Sequence, residues 1–200
     1  MEATFLQRHP FIKDAIGITI FIVCVLIGTL FINSFIFRSF SVVGPSMETT
    51  LYTGDRLIVN RMPITLTQLQ NKSYVPERGQ IIVFKNPSYS SGIGDEFIVK
   101  RVIAFAGESV SLKDGEYTVY NKEHPNGFNP DDTNKGEPGS PTSGSLDKKL
   151  VPSGEIFVSG DHRQGNYSYD SRNGLGTIPL YDVVGPVSAR IFPFNKIRFF

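Results

Sequence analysis

From Ala15 to Phe37 the chain runs AIGITIFIVCVLIGTLFINSFIF, an uncharged stretch framed by Lys13 and Asp14 on one side and Arg38 on the other. At about 1.5 Å per residue a helix of this length covers roughly 34 Å, enough to cross a bilayer with some tilt. The pattern predicts one transmembrane helix at 15–37. A cleavable leader has an apolar region of about 7–15 residues ending at a small-x-small site, and Phe37-Arg38-Ser39-Phe40 offers none. Cys24 inside the helix reads as a small apolar residue. Arg8 and Lys13, partly offset by Glu2 and Asp14, lean towards a cytoplasmic N-terminus, which would place residues 38–200 outside the cytoplasm.

Beyond Arg38 the pattern changes to short apolar runs rich in β-branched and aromatic residues: Arg56–Val59, Gln80–Phe84, Glu96–Ile103, Ser109–Leu112, Glu155–Val158 and Val183–Phe192. Gly, Pro, Asn or Asp bounds each run, as turns bound strands. No later stretch keeps a helical period, apart from a short helical turn expected around Leu66–Gln70. The fold class is therefore mainly β, an antiparallel β domain behind one N-terminal transmembrane helix. Between Asn121 and Lys149 only Phe128 and Leu146 are large and apolar, so 121–149 is expected to be an exposed, flexible loop. The predicted organisation is a tail at 1–14, the helix at 15–37 and a β-rich domain at 38–200.

Composition narrows the chemistry. Lys and Arg number 20 against 19 Asp and Glu, a net charge of +1 spread along 200 residues, which argues against a nucleic-acid partner. A single cysteine and three scattered histidines, His9, His124 and His162, do not make a metal-ligand cluster, so a metalloenzyme built on His and Cys is not expected. No cofactor is called for.

Two residues stand out as candidates for chemistry. Ser46 sits in a Gly44-Pro45-Ser46 turn, where a serine can be exposed enough to attack, although such a serine on its own is ordinarily a turn residue. It would need a base. His162 lies in a Gly-Asp-His turn and His124 in the polar segment, so lysine is the alternative, provided burial lowers its pKa from about 10.4. In Phe97-Ile98-Val99-Lys100-Arg101-Val102-Ile103 two cations stand inside an apolar strand on opposite faces, and Lys100 can lose its proton where Arg101 cannot. A solvated lysine on an exposed strand face is the competing reading.

Four segments in order then carry a resemblance: Ser46-Met47-Glu48-Thr49-Thr50-Leu51; Gly54 to Arg61; Lys100 to Glu108; and Gly160-Asp161 to Ser168-Tyr169-Asp170-Ser171-Arg172. Together with the preceding apolar helix they resemble the signature blocks of type I signal peptidases, over about residues 15–185. The resemblance implies a membrane-bound serine endopeptidase that cuts signal peptides from exported preproteins by a Ser/Lys dyad, in a bacterial-type plasma membrane, single-pass, with the catalytic domain extracytoplasmic. It implies Ser46 as nucleophile, Lys100 as general base, Ser168 as the hydroxyl that orients the lysine amine, and Asp170 with Arg172 as an ion pair that shapes the site. The Ser46 backbone N–H would donate to the oxyanion. Its partners would be signal-peptide-bearing preproteins and the lipid bilayer.

Several positions depart from the family pattern. Gly44 stands where some members place a serine that assists the oxyanion hole, Pro45 removes an N–H donor, and Thr49 replaces the usual proline. His162 replaces the common asparagine after Gly-Asp, and the interval to Ser168 is longer than usual by about two residues. Read as a substrate site, small residues at −1 and −3 (Ala-x-Ala) would enter shallow apolar pockets while the peptide pairs with a strand edge. Phe194, Phe199 and Phe200 would either seat the domain in the membrane interface or end a core strand. The alternatives are a related Ser/Lys processing or self-cleaving peptidase, and a non-catalytic membrane-anchored β module.

Overall fold

A computed structural model describes residues 10–90, 94–132, 134, 138 and 140–200. Helix α1 (Pro10–Phe31) passes into one π-helical stretch (Ile32–Ile36). The helix is thus already formed ahead of residue 15, and Phe37 belongs to the first strand. Phe11–Ile36 is long and apolar enough to cross a membrane, and its most apolar window buries nothing against the rest of the protein. Its two threonines cause no polar mismatch. Thr19 Oγ1 donates to Ala15 O at 2.9 Å and Thr29 Oγ1 to Val25 O at 2.8 Å, so both hydroxyls are satisfied within the helix.

The chain then builds β1 (Phe37–Ser41), β2 (Arg56–Asn60), α2 (Met62–Leu69), β3 (Ile81–Lys85), β4 (Phe97–Phe105), β5 (Ser109–Lys113), β6 (Glu116–Tyr120), β7 (Leu146–Leu150), β8 (Glu155–Ser159), β9 (Ile178–Pro179), β10 (Val183–Phe192) and β11 (Arg198–Phe199). All pairings are antiparallel. The larger sheet has the order β1-β2-β10-β3-β4-β8-β9, with β11 against β10, and the smaller has the order β6-β5-β7. The fold is mainly antiparallel β behind one apolar helix.

Strands β3 and β8 read as continuous apolar runs because both of their faces are covered. Strand β6 alternates, burying Tyr117 and Val119. Three apolar clusters result. One, around Met47, Leu51, Val59 and Val187, lies beneath the serine turn. A second joins β3, β4 and β8 through Ile82, Val102 and Val158. The third ties the small sheet to the large one through Leu112, Tyr117 and Phe157.

No linker separates helix from sheet. Arg61 N–H donates to Ile36 O at 2.8 Å, and Thr65 Oγ1 donates to Phe35 O at 3.0 Å, so the start of α2 grips the end of the membrane-length helix. The helical turn expected at 66–70 is α2, placed a few residues earlier by Pro63 in its first turn.

Segment 121–149 departs from the expected flexible loop over its described residues. Phe128 bridges Val119, and Leu146 opens β7. Asp131 pairs with buried Arg163 at 2.6 Å, while Thr142 N–H donates to Gly115 O and Ser143 N–H to Arg163 O, each at 2.8 Å. Few apolar residues are needed here, because charge pairing and backbone hydrogen bonds fasten the segment instead. Residues 133, 135–137 and 139 of it lie outside the described residues.

Candidate active site

The serine turn is held by what lies around it. Val42 N–H donates to Asp55 O and Gly54 N–H to Val42 O, both at 2.9 Å, closing the base of the β1–β2 connection. At its tip Glu48 N–H donates to Pro45 O at 3.0 Å and Leu51 N–H to Met47 O at 2.8 Å, a helical turn whose Met47 and Leu51 are fully buried. Those two apolar pins hold Ser46 half-buried at the rim of a cleft. Gly44 has φ +89°, a left-handed conformation that a side chain resists, which explains glycine where a serine hydroxyl was weighed.

Lys100 comes to this serine from β4. Its Nζ lies 2.7 Å from Ser46 Oγ and 3.0 Å from Val99 O, and the residue is 3% exposed. Burial drives its pKa down to about 8, against the opposing pull of Asp170, Asp161 and Asp95. The solvated-lysine reading therefore fails. As an ammonium the lysine donates to the serine oxygen; once neutral, the polarity reverses and the hydroxyl donates to the amine.

Lys100 and Arg101 do point to opposite faces, but both faces are covered. Arg101, 5% exposed, meets Asp161 in a two-pronged contact, Nε to Oδ1 at 2.7 Å and Nη2 to Oδ2 at 2.5 Å. Thr50 Oγ1 donates to the same carboxylate at 2.5 Å, which ties the serine turn to this pair. Sequence reasoning quoted Asp161 within a block and gave it no role. Its own neighbours, Ser159-Gly160 and His162-Arg163, are polar and give no signal of burial; the available signal was Arg101 inside an apolar strand, since a buried arginine requires an acid partner.

Ser168 is fully buried, and its hydroxyl donates to Asp170 Oδ2 at 2.7 Å rather than to the Lys100 amine. An ionised carboxylate is the stronger acceptor, and this one is a hub. Gly160 N–H donates to it at 3.0 Å, Ser159 Oγ at 3.2 Å and Arg172 N–H at 3.1 Å, while the Arg172 guanidinium pairs with it at 3.2 Å. Arg172 also donates to Arg163 O at 2.9 Å and Ser143 O at 3.0 Å, linking this hub to the segment around residue 143. His162 turns its Nδ1 to Pro45 O at 3.1 Å, so the structure does not set it as a base on Ser46.

Ser46 and Lys100 line a cleft of about 300 Å³ whose walls include Val42, Val43, Leu57, Val83, Phe97, Ile98 and Val99, with Tyr167 and Tyr169 at one side. Strand β4 pairs with β8 only from Arg101 onward, so its Phe97–Lys100 stretch keeps one open edge. A serine hydroxyl held against a buried amine that can become neutral is the chemistry of hydrolases with an activated serine.

The chain belongs to the signal peptidase family, peptidase S26, whose model matches residues 13–192. It is 34% identical to a signal peptidase I of Bacillus licheniformis over 88% of each chain. It is also 29% identical to an inactive signal peptidase IA of Staphylococcus aureus, over 92% of this chain and 95% of that one. Among solved structures, a signal peptidase I from Enterococcus faecalis V583 covers 56% of this chain and 96% of that one, at 24% identity and a TM-score of 0.41.

Proposed function

We propose that this protein is a membrane-anchored serine endopeptidase that removes signal peptides from exported preproteins after Ala-x-Ala sites, with Ser46 as nucleophile and Lys100 as general base. One observation carries the reading: the 2.7 Å approach of a buried lysine titrating at about 8 to a serine hydroxyl at the rim of an apolar cleft. Lys100 takes the Ser46 proton as Oγ attacks the scissile carbonyl, and the Ser46 backbone N–H donates to the oxyanion. Lys100 then returns the proton to the leaving amine, and later activates the water that hydrolyses the acyl-enzyme. Asp170 and Arg172 hold the 160–172 segment against the dyad, and Ser168 acts through Asp170.

The cleft fits such a substrate. Apolar walls suit small side chains at −1 and −3, and the open edge of β4 suits an extended peptide backbone. The apolar helix serves as the anchor, with the β domain on the extracytoplasmic side. Exposed Phe199 on β11, in the same sheet as β1, and exposed Phe194 in the 3-10 turn that precedes β11 would rest in the interface.

The inactive-named relative favours a second reading, a membrane-anchored β module without catalysis. The test is cleavage of an Ala-x-Ala precursor by the detergent-solubilised protein beside Ser46→Ala and Lys100→Met. Cutting after the second Ala by wild type alone supports the peptidase. No cutting by wild type gives the binding module.

A further inference from the structure

His162 is the residue that the proposed chemistry leaves unused, yet it touches the serine turn twice. Its backbone N–H donates to Ser46 O at 3.1 Å, and its ring Nδ1 meets Pro45 O at 3.1 Å. A carbonyl oxygen only accepts, so Nδ1 carries the proton in this contact. The ring stacks on Tyr167, with centroids 4.5 Å apart and an interplanar angle of 21°, and Glu48 Oε2 lies 3.9 Å from Nδ1. Successive carbonyls, on either side of the nucleophile, are thus gripped by one residue.

We propose that His162 is a positioning residue for the oxyanion hole, a role that rests on the reading of Ser46 as nucleophile. The Pro45–Ser46 peptide bond is not among the cis bonds of the chain, and in a trans peptide the C=O and N–H project in opposite directions from one plane. Holding Pro45 O against His162 therefore fixes where Ser46 N–H points. That N–H has no acceptor among the described residues, as a donor reserved for a transition-state oxygen should. Pro45 O is bound from two sides, by Glu48 N–H within the turn and by the imidazole from across the chain. The ring contact is the one that joins this peptide plane to the 160–172 segment, since the Glu48 contact lies within the turn itself.

The reach of the donor decides the test. Asparagine Nδ2 and histidine Nδ1 are both two bonds beyond Cβ, so His162→Asn keeps a donor near Pro45 O and loses the stack on Tyr167. His162→Phe keeps a ring on Tyr167 and loses the donor. Steady-state cleavage of an Ala-x-Ala precursor by the full-length protein in detergent is measured for wild type, both variants, His162→Ala and Ser46→Ala, with thermal midpoints for each. The expectation is that His162→Phe and His162→Ala lower kcat about 10- to 100-fold with little change in KM, as a misaimed oxyanion donor requires, while His162→Asn stays within about threefold of wild type. A His162→Phe enzyme as fast as wild type, or a His162→Asn enzyme as slow as His162→Ala, overturns the proposal while leaving the peptidase reading intact. A wild type that does not cut, or a Ser46→Ala protein that does, overturns the reading beneath it and the proposal too.

Discussion

Lys100 and Arg101 are consecutive in β4 and almost equally buried, yet the arginine alone faces a carboxylate at ion-pair distance among the described residues. Asp161 neutralises the guanidinium directly, whereas it reaches the lysine only as a weaker field opposed by burial. Two cations on one strand are thereby given different fates. One is locked in its charge, and the other is free to lose it.

The pH profile of cleavage follows from that difference. If Lys100 is the base, as proposed, its working form is the neutral amine, and kcat/KM for an Ala-x-Ala precursor should climb as pH rises and level off above about 8. Lys100→Met should be inactive across pH 6–10. A rate that is flat between pH 6 and 9, or a cutting Lys100→Met protein, would remove the lysine from its assigned role.

The same burial costs stability. The folded pKa of about 8 lies below the ordinary 10.5, so the penalty is full below pH 8, shrinks as pH rises between the two values and is gone above the higher one. At about 1.36 kcal/mol per pKa unit it amounts to roughly 3 kcal/mol at neutral pH. Lys100→Met, without that penalty, should unfold at higher urea than wild type at pH 7, and its advantage should narrow at pH 10. Equal urea midpoints at pH 7 would contradict this.

Asp161→Asn takes away the negative charge that faces the buried Arg101 guanidinium. Breaking such a charge pair costs about 3–5 kcal/mol, and the single amide oxygen cannot serve both the Arg101 Nε contact and the contacts of Arg101 Nη2 and Thr50. Urea denaturation should show a loss of that size. A change below about 1 kcal/mol would mean that solvent reaches Arg101 more freely than its 5% exposure implies.

Gly160 is pressed against the Ser46 carbonyl and the Ser168 side chain so closely that a methyl group at its Cα would collide with both. One of these is backbone of the Ser46 turn and cannot swing aside. Gly160→Ala should therefore lower cleavage at least about tenfold by displacing Ser46 or the 160–162 segment, since small misplacements of reacting groups have large effects on rate. Unchanged cleavage by a folded Gly160→Ala protein would show that the segment is free to retreat.

The pattern along the chain revealed elements whose residues settle their own environment. Strand β10 occupies Val183–Phe192 as its apolar run indicates, and β3 and β8 follow from runs buried on both faces. Strand β7 did not show, because Leu146-Asp147-Lys148-Lys149-Leu150 has few apolar residues and exists by pairing with β5. Residue type and local setting marked Ser46 and Lys100 only as candidates, each beside an ordinary alternative, and Ser168, Asp170 and Arg172 came only with the family resemblance. The meeting of site residues was not legible: Ser46 and Lys100 are 54 positions apart, Arg101 and Asp161 are 60 apart, and no periodicity encodes either approach. The diversion of the Ser168 hydroxyl to Asp170 depends on a carboxylate that gathers donors from several turns, which only the folded chain brings together.

The grip of α2 on the last turn of the apolar helix, through Arg61 on Ile36 and Thr65 on Phe35, joins two bodies that a flexible connection would have let drift. Strand β1 continues from that helix end and reaches Ser41 five residues before the serine. With the helix seated in a bilayer, the cleft would stand at a set height above it, like the blade of a gauge clamped to its bench. The bond presented at that height would then be chosen partly by its distance from the membrane surface, so the spacing of a precursor's cleavable bond from its own apolar segment becomes as much a specificity determinant as the side chains flanking it.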